Sequence, residues 1–230
     1  MPTFRTPEPI KAEITLAVGE VAIIAGDRDD TVVTVAPYDP ELPLDVKAAR
    51  EVDVSYTADG LRIRQGHPWR HRYGRDSAPG TVSITVELPS GSEVRGKAYL
   101  GTIRGEGLLG RCRFTAYSGQ LQLAAVGGDL RARSNNGSIL VQRADANVDA
   151  RTKVGNIVVG EVLRGTVDLV TQVGEVEVGV HPDSTADLNA RSRLGRVRNT
   201  LPAGRRPASA AATVRIRART SLDDIIIRRS

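Results

Sequence analysis

Asp149 and Asp168 are the residues of this chain best suited to chemistry, provided that the fold brings them together. Two carboxylates on one outward face can cleave a glycosidic bond, one giving a proton while the other attacks or activates water. Their neighbours argue for another role. Arg131 and Arg151 fall at matching positions of adjoining segments, and a guanidinium beside a carboxylate holds it ionised. The expectation is a salt-bridged pair and no catalytic residue. A second group is the arginines themselves. Arg113, Arg131, Arg133 and Arg151 recur at intervals that a stacked repeat would turn into a row of positive charge. Such a row either binds an anionic polymer or headgroup or is a plain solvated face.

A third group lies in GHPWRHRYGRDSAPG, residues 66–80, with the only tryptophan, Trp69, beside Arg70, His71, Arg72 and Tyr73. In a chain with 3% aromatic residues, this segment reads either as a plug over the core or as a contact for a ligand or partner. Three histidines, scattered, do not make a metal cluster. No Walker loop, CxxC or HExxH occurs. Neither a metal nor a cofactor is expected.

What would place these residues is a repeat. Gly101, Gly119, Gly137, Gly155, Gly174 and Gly195 are separated by 18, 18, 18, 19 and 21 residues. Seven, five and three residues before each stand small or apolar side chains, such as Val148, Ala150 and Thr152 before Gly155. Two residues after each comes Ile, Leu or Val. Spacing by two is strand alternation. Each coil thus holds two short strands with a corner at the glycine, and stacking the coils buries a continuous column. The predicted fold is all-β: a parallel β-solenoid of about 18-residue coils with two main sheets. The crossover rule favours right-handed turns. An 18-residue period also fits a three-sided, left-handed hexapeptide helix, which ranks second because it would need a third apolar column where the sequence offers two and a variable turn. The column Ala98, Ala116, Ser134, Thr152, Thr171, Ser192 predicts inward hydroxyls that bond corner backbone groups.

The rest of the chain fits around this array as one domain, 1–230. Residues 1–80 read as irregular coils, with strands at 13–26 and 31–37, a loop at 38–45, and a hairpin at 52–66 turning at Asp59-Gly60. Residues 81–230 read as regular coils, with an inserted loop at 201–210. The array ends in a half-coil whose corner is Asp223 in a left-handed conformation, and Arg228 and Arg229 there would discourage edge growth.

Charged residues make up 26% and hydrophobic ones 40%, with a net charge of +5, ordinary for a globular chain. Cys112 is the single cysteine and falls in a core column, so no intramolecular disulfide is possible. No apolar run reaches membrane-span length, and none of signal-peptide length opens the chain, so a cytoplasmic location is expected. The start FRTPEPIKAEITLAVGEVAIIAGDRDDTVV, the segment VELPSGSEV, and TKVGNI, TQVGEV and SRLGRV resemble the bacterial β-strand-repeat family labelled putative adhesin. The resemblance spans nearly the whole chain, implies the repeat fold, and supplies no catalytic residue. The functional expectation is a non-enzymatic binding or scaffolding module, a monomer or weak homo-oligomer, whose partner is a protein or an anionic polymer, with nucleic acid the lesser candidate. The alternatives are a carbohydrate-active β-helix protein and an end-to-end assembling structural protein.

Overall fold

The computed structural model describes residues 1–66, 80–201 and 212–230. Its strands are β1 (Thr3–Arg5), β2 (Lys11–Gly26), β3 (Asp30–Pro37), β4 (Asp53–Thr57), β5 (Gly60–Arg64), β6 (Val82–Pro89), β7 (Glu93–Leu109), β8 (Cys112–Ser118), β9 (Leu121–Val126), β10 (Leu130–Asn136), β11 (Ile139–Ala144), β12 (Val148–Arg151), β13 (Ile157–Val162), β14 (Gly165–Val170), β15 (Val176–Val180), β16 (Ser184–Ser192), β17 (Val197–Asn199), β18 (Ala212–Thr220) and β19 (Ile225–Arg229). One helix, α1 (Pro43–Arg50), follows β3. No described helix is long and apolar enough to cross a membrane.

The strands form two stacks. On the first face the order is β4, β5, β2, β7, β8, β10, β12, β14, β18, β16. On the second it is β1, β3, β6, β2, β7, β9, β11, β13, β15, β19, β17. The long strands β2 and β7 run through their glycine corners and belong to both faces. All other pairings are parallel except those of β1, β3 and β4, which are antiparallel. This is the predicted solenoid. Val94, Cys112, Leu130, Val148, Val167 and Ile216 stack as one inward column, and Ile103, Leu121, Ile139, Ile157, Val176 and Ile225 as another, all buried.

The corners explain the glycines. Gly155 has φ +138°, and a Cβ built there would lie 2.4 Å from the carbonyl oxygen of Gly137 in the preceding coil. The hydroxyl ladder does what its position predicted: Thr171 Oγ1 donates to the Gly155 carbonyl at 3.0 Å, and Thr152 Oγ1 to that of Gly137 at 3.0 Å. Ser134 is the exception, its buried hydroxyl having no partner among the described residues. Asp223 departs from expectation. No non-glycine residue has positive φ among those described. Asp223 instead turns its corner with its carboxylate, which accepts from the Gly174 N–H at 2.7 Å.

Three other expectations are corrected. Residues 43–50 are helix rather than part of a loop. Pro43 opens the helix, where its missing N–H costs nothing. Asp45 then ties it down by accepting from the N–H groups of Asp39 and Thr81 at 3.1 and 2.7 Å. Next, β2 is a regular coil rather than a degenerate one. Ala12, Ile14 and Leu16 stand seven, five and three before Gly19, and Gly19 stacks on Gly101. Beyond β5, the Gln65 side chain stands in for a neighbouring strand. It accepts from the Ala17 and Val18 N–H groups and donates to the Gly80 carbonyl. Residues 67–79, with Trp69, Arg70, His71, Arg72 and Tyr73, lie outside the described residues, as do 202–211.

The last correction concerns the order of the coils. The C-terminal segment is a complete coil, and it is not at the end. It inserts between β14–β15 and β16–β17. Its inward side chains, Val214, Ile216, Ala218, Ile225 and Ile227, are all buried. The coil it displaces offers Ala186, Leu188, Ala190, Ser192, Val197 and Asn199. Placing the more apolar coil inside buries more hydrocarbon. Arg228 and Arg229 are accordingly clamps rather than edge guards. Arg228 Nε bonds Glu177 at 2.6 Å, and Arg229 donates to the carbonyls of His181 and Ser184 at 2.8 Å.

Two stability predictions follow from this packing. Gly155→Val forces strain and a backbone clash, and should lower stability by at least ~1–3 kcal/mol in denaturant unfolding; an unchanged midpoint contradicts the corner. Ile216→Ala should cost ~2–5 kcal/mol and Leu188→Ala well under half of that. The reverse ranking would mean that the coils stack in sequence order.

Candidate functional site

The outward side chains of the first face are held in register by the ladder. Arg95, Arg113, Arg131, Asp149, Asp168 and Arg217 follow one another across β7, β8, β10, β12, β14 and β18. Beside them run Lys97, Thr115, Arg133 and Arg151. The predicted site residues Arg113, Arg131, Arg133, Arg151, Asp149 and Asp168 therefore share one face. The inserted C-terminal coil changes one neighbour: sequence order would set Asn189 beside Asp168, and the structure sets Arg217 there.

Asp149 is the centre of an ion-pair network. Arg133 grips it with two bonds, Nη1 to Oδ1 at 2.9 Å and Nη2 to Oδ2 at 2.6 Å. Arg151 Nε reaches Oδ1 at 3.2 Å, and Arg131 Nε lies 3.6 Å from Oδ2. Arg151 also reaches Asp168 at 3.4 Å. The hydrogen bond from Arg133 holds the Asp149 carboxyl below its ordinary range, against partial burial, and the charges of Arg133, Arg151 and Arg131 add to the effect. A carboxylate so held stays ionised at neutral pH and has no proton to give. Asp149 thus bridges three arginines, and Asp168 is tied to the network through Arg151.

The network splits the row of arginines. Arg133 and Arg151 are engaged by carboxylates, and Arg131 partly so. Arg95 and Arg113 make no ion pair or hydrogen bond among the described residues. Arg111, one residue before β8, has Glu93 at 4.0 Å. These side chains line an open groove of about 410 Å³ together with Arg131, Asp129 and Asn147. Farther along the same strands lie Tyr99, with the Lys97 ammonium 5.0 Å from its ring centre, and Tyr117, 63% exposed. Arg95 and Arg111 were not among the predicted candidates. Arg95 carries the signal that marked Arg113, standing six residues before a corner glycine.

Two other features resolve into structure. GEGLLG at 105–110 has the GxGxxG spacing of a phosphate loop. It lies along β7, where the register against β9 shifts between Gly105 and Leu108, and no helix follows it. These glycines make a bulge, not a phosphate cradle. Cys112 is buried, and desolvation pushes its thiol up to about 12, so it is an unreactive core residue.

No family model matches the chain, and no curated protein matches it. Among solved structures it is similar to a putative cell adhesion protein from Clostridium sporogenes, at 14% identity and a TM-score of 0.39, over 100% of this chain and 98% of that one. It is also similar to a putative adhesin from Bacteroides fragilis, at 13% identity and a TM-score of 0.42, over 98% of this chain and 95% of that one.

The depressed Asp149 carboxyl gives a pH prediction with a fixed sign. A carboxylate whose folded pKa is lowered contributes stability above its unfolded pKa of ~3.9 and loses it as pH falls through the folded value. Asp149→Asn should therefore melt below the wild-type chain at neutral pH. The gap should narrow as pH drops below ~4. A gap that stays constant with pH would show that the network contributes nothing through the charge of Asp149.

Proposed function

We propose that the chain is a non-enzymatic binding module whose first face takes an anionic polymer. The observation that carries this reading is the pair Arg95 and Arg113. They are neighbours across two paired strands, on an open groove flanked by Arg111 and Arg131, and neither forms an ion pair among the described residues, the Glu13 opposite Arg95 being paired with Arg62. An exposed cation with no partner keeps its charge available to a ligand. Arg133 and Arg151, already neutralised, set the boundary of the site.

The form of the ligand follows from the form of the face. The cations repeat at the strand spacing, ~4.8 Å, along an open surface rather than inside an enclosed cavity. That suits a chain of charges laid across the strands better than a single small anion. Tyr117 lies four residues along β8 from Arg113, within reach of a ring or base that stacks. The bridging of Asp149 by three guanidiniums speaks against acid–base chemistry on this face and for binding alone.

Binding driven by such contacts is salt-sensitive, because each neutralised charge releases counterions. On a heparin column at low salt, the wild-type chain should be retained. Arg113→Ser should elute earlier and Arg95→Ser/Arg113→Ser earlier still. Arg104→Ser, the same charge change on the second face, should elute close to wild type. Failure of the wild-type chain to bind, or an equal loss from Arg104→Ser, would refute the site.

A further inference from the structure

The two ends of the solenoid are built differently. At one end the chain folds back antiparallel in β1, β3 and β4. There the rings of Phe4 and Tyr56 stack across the end, 5.1 Å apart at 22°. At the other end, among the described residues, β16 pairs only with β18 and β17 only with β19. The outer edge of β16, nine residues long, is paired by no strand among the described residues. Its inward side chains Leu188 and Ala190 are half-buried, and beyond them Leu194 and Val197 are 72% and 45% exposed. Among the described residues no strand lies beyond this end of the hydrophobic column, and a bare edge over an open core is a surface for strand addition.

We infer that this end is covered by the same end of a second copy, in a closed two-fold dimer. A head-to-tail contact has no matching surface. The opposite end offers the five-residue β4 and three-residue β1, each turned antiparallel to its stack and closed over by the aromatic pair. What remains is an isologous contact, in which the strand must pair antiparallel with itself. The sequence of β16 fits that demand. With Asn189 on the two-fold axis, Asp187 of each copy stands opposite Arg191 of the other, twice over. On the inner side Leu188 stands opposite Ala190, and Ala186 opposite Ser192. Inward residues thus meet inward residues, as register requires, and the outward pairs are of opposite charge, as favourable cross-strand pairs are. Asp187 is accessible to a second copy: its side chain is 70% exposed, and its ion pair with Arg215, 3.6 Å, is itself exposed. The pairing also continues the inward column from one copy into the next. Because both bare edges are used, growth stops at two.

Sedimentation equilibrium of the full chain over a range of concentrations tests this. The mass should rise from that of one chain, 24.6 kDa, to twice that value and no further. Asp187→Arg sets arginine against arginine, and Arg191→Asp sets aspartate against aspartate. Each should weaken the dimer at least ~10-fold, since like charges juxtaposed at an interface are costly. The double variant Asp187→Arg/Arg191→Asp restores opposite charges and should recover near-wild-type association. Both positions are exposed, so melting curves should show all three variants folded. A single-chain mass at every concentration would overturn the inference. So would growth beyond two chains, indifference to the single reversals, or a double variant no better than the singles.

Discussion

The corners at Gly101, Gly119, Gly137, Gly155 and Gly174 each place a Cα directly over a carbonyl oxygen of the coil before it, where no Cβ fits. Built Cβ atoms at Gly119 and Gly137 would lie 1.8 and 1.7 Å from the carbonyl oxygens of Gly101 and Gly119. That contact fixes the stagger of one coil on the next. The threonines at 152, 171 and 220 then lock it by donating to the carbonyls of stacked glycines. Once the corner is fixed, every other residue falls into a column by its distance from the glycine. The hydrophobic core, the ion-pair network and the free arginines are all consequences of that one registration. A solenoid of this kind gains stability coil by coil, so the quality of each coil–coil contact matters more than any single distant interaction.

The order in which coils stack is a separate question, and apolar burial decides it. Both chain-terminal coils lie inside the array: β2 sits between β5–β6 and β7, and β18–β19 between β14–β15 and β16–β17. The ends are formed by β4 with the short N-terminal β1 on one side and by β16–β17 on the other. At each end the exposed coil is the poorer in large inward hydrophobics or is closed by other means, a helix and an aromatic pair at one and smaller, more polar side chains at the other. The chain could satisfy its registration in either order, because coils 184–199 and 212–229 have the same spacing about their corners. Burial of Ile216, Ile225 and Ile227 breaks the tie.

This separation explains what could be read from the sequence. The columns were legible, because spacing by two and a glycine every 18 residues are local signals. They put Asp149 beside Arg131 and Arg151 on one face, as observed. The coil order was not legible, because it depends on comparing two coils of identical register rather than on either alone. Arg217 beside Asp168 was missed for that reason. The bidentate grip of Arg133 on Asp149 was missed for another: it is diagonal, between different columns of adjacent strands, and a column-by-column reading sees only direct neighbours. The helix at 43–50 hid behind prolines that read as loop, although Pro43 at a helix start with Asp45 in its first turn is itself a start signal.

The ion-pair network also shapes the charge that remains. A uniform ladder of arginines at strand spacing would repel along its whole length, and like charges opposite one another destabilise a sheet. Asp149 and Asp168 interrupt the ladder where the second arginine column, Arg133 and Arg151, would double the density. Farther back along the array the second column holds Lys97 and Thr115, and the acid of the first, Glu13 opposite Arg95, pairs with Arg62 at 3.6 Å. Glu13 is thereby turned to Arg62, and the charge of Arg95 and Arg113 is left facing solvent. The acids that looked like a catalytic pair thus do their work by subtraction. They neutralise the crowded half of the face and leave the sparser half as the part of the sheet with attraction to offer.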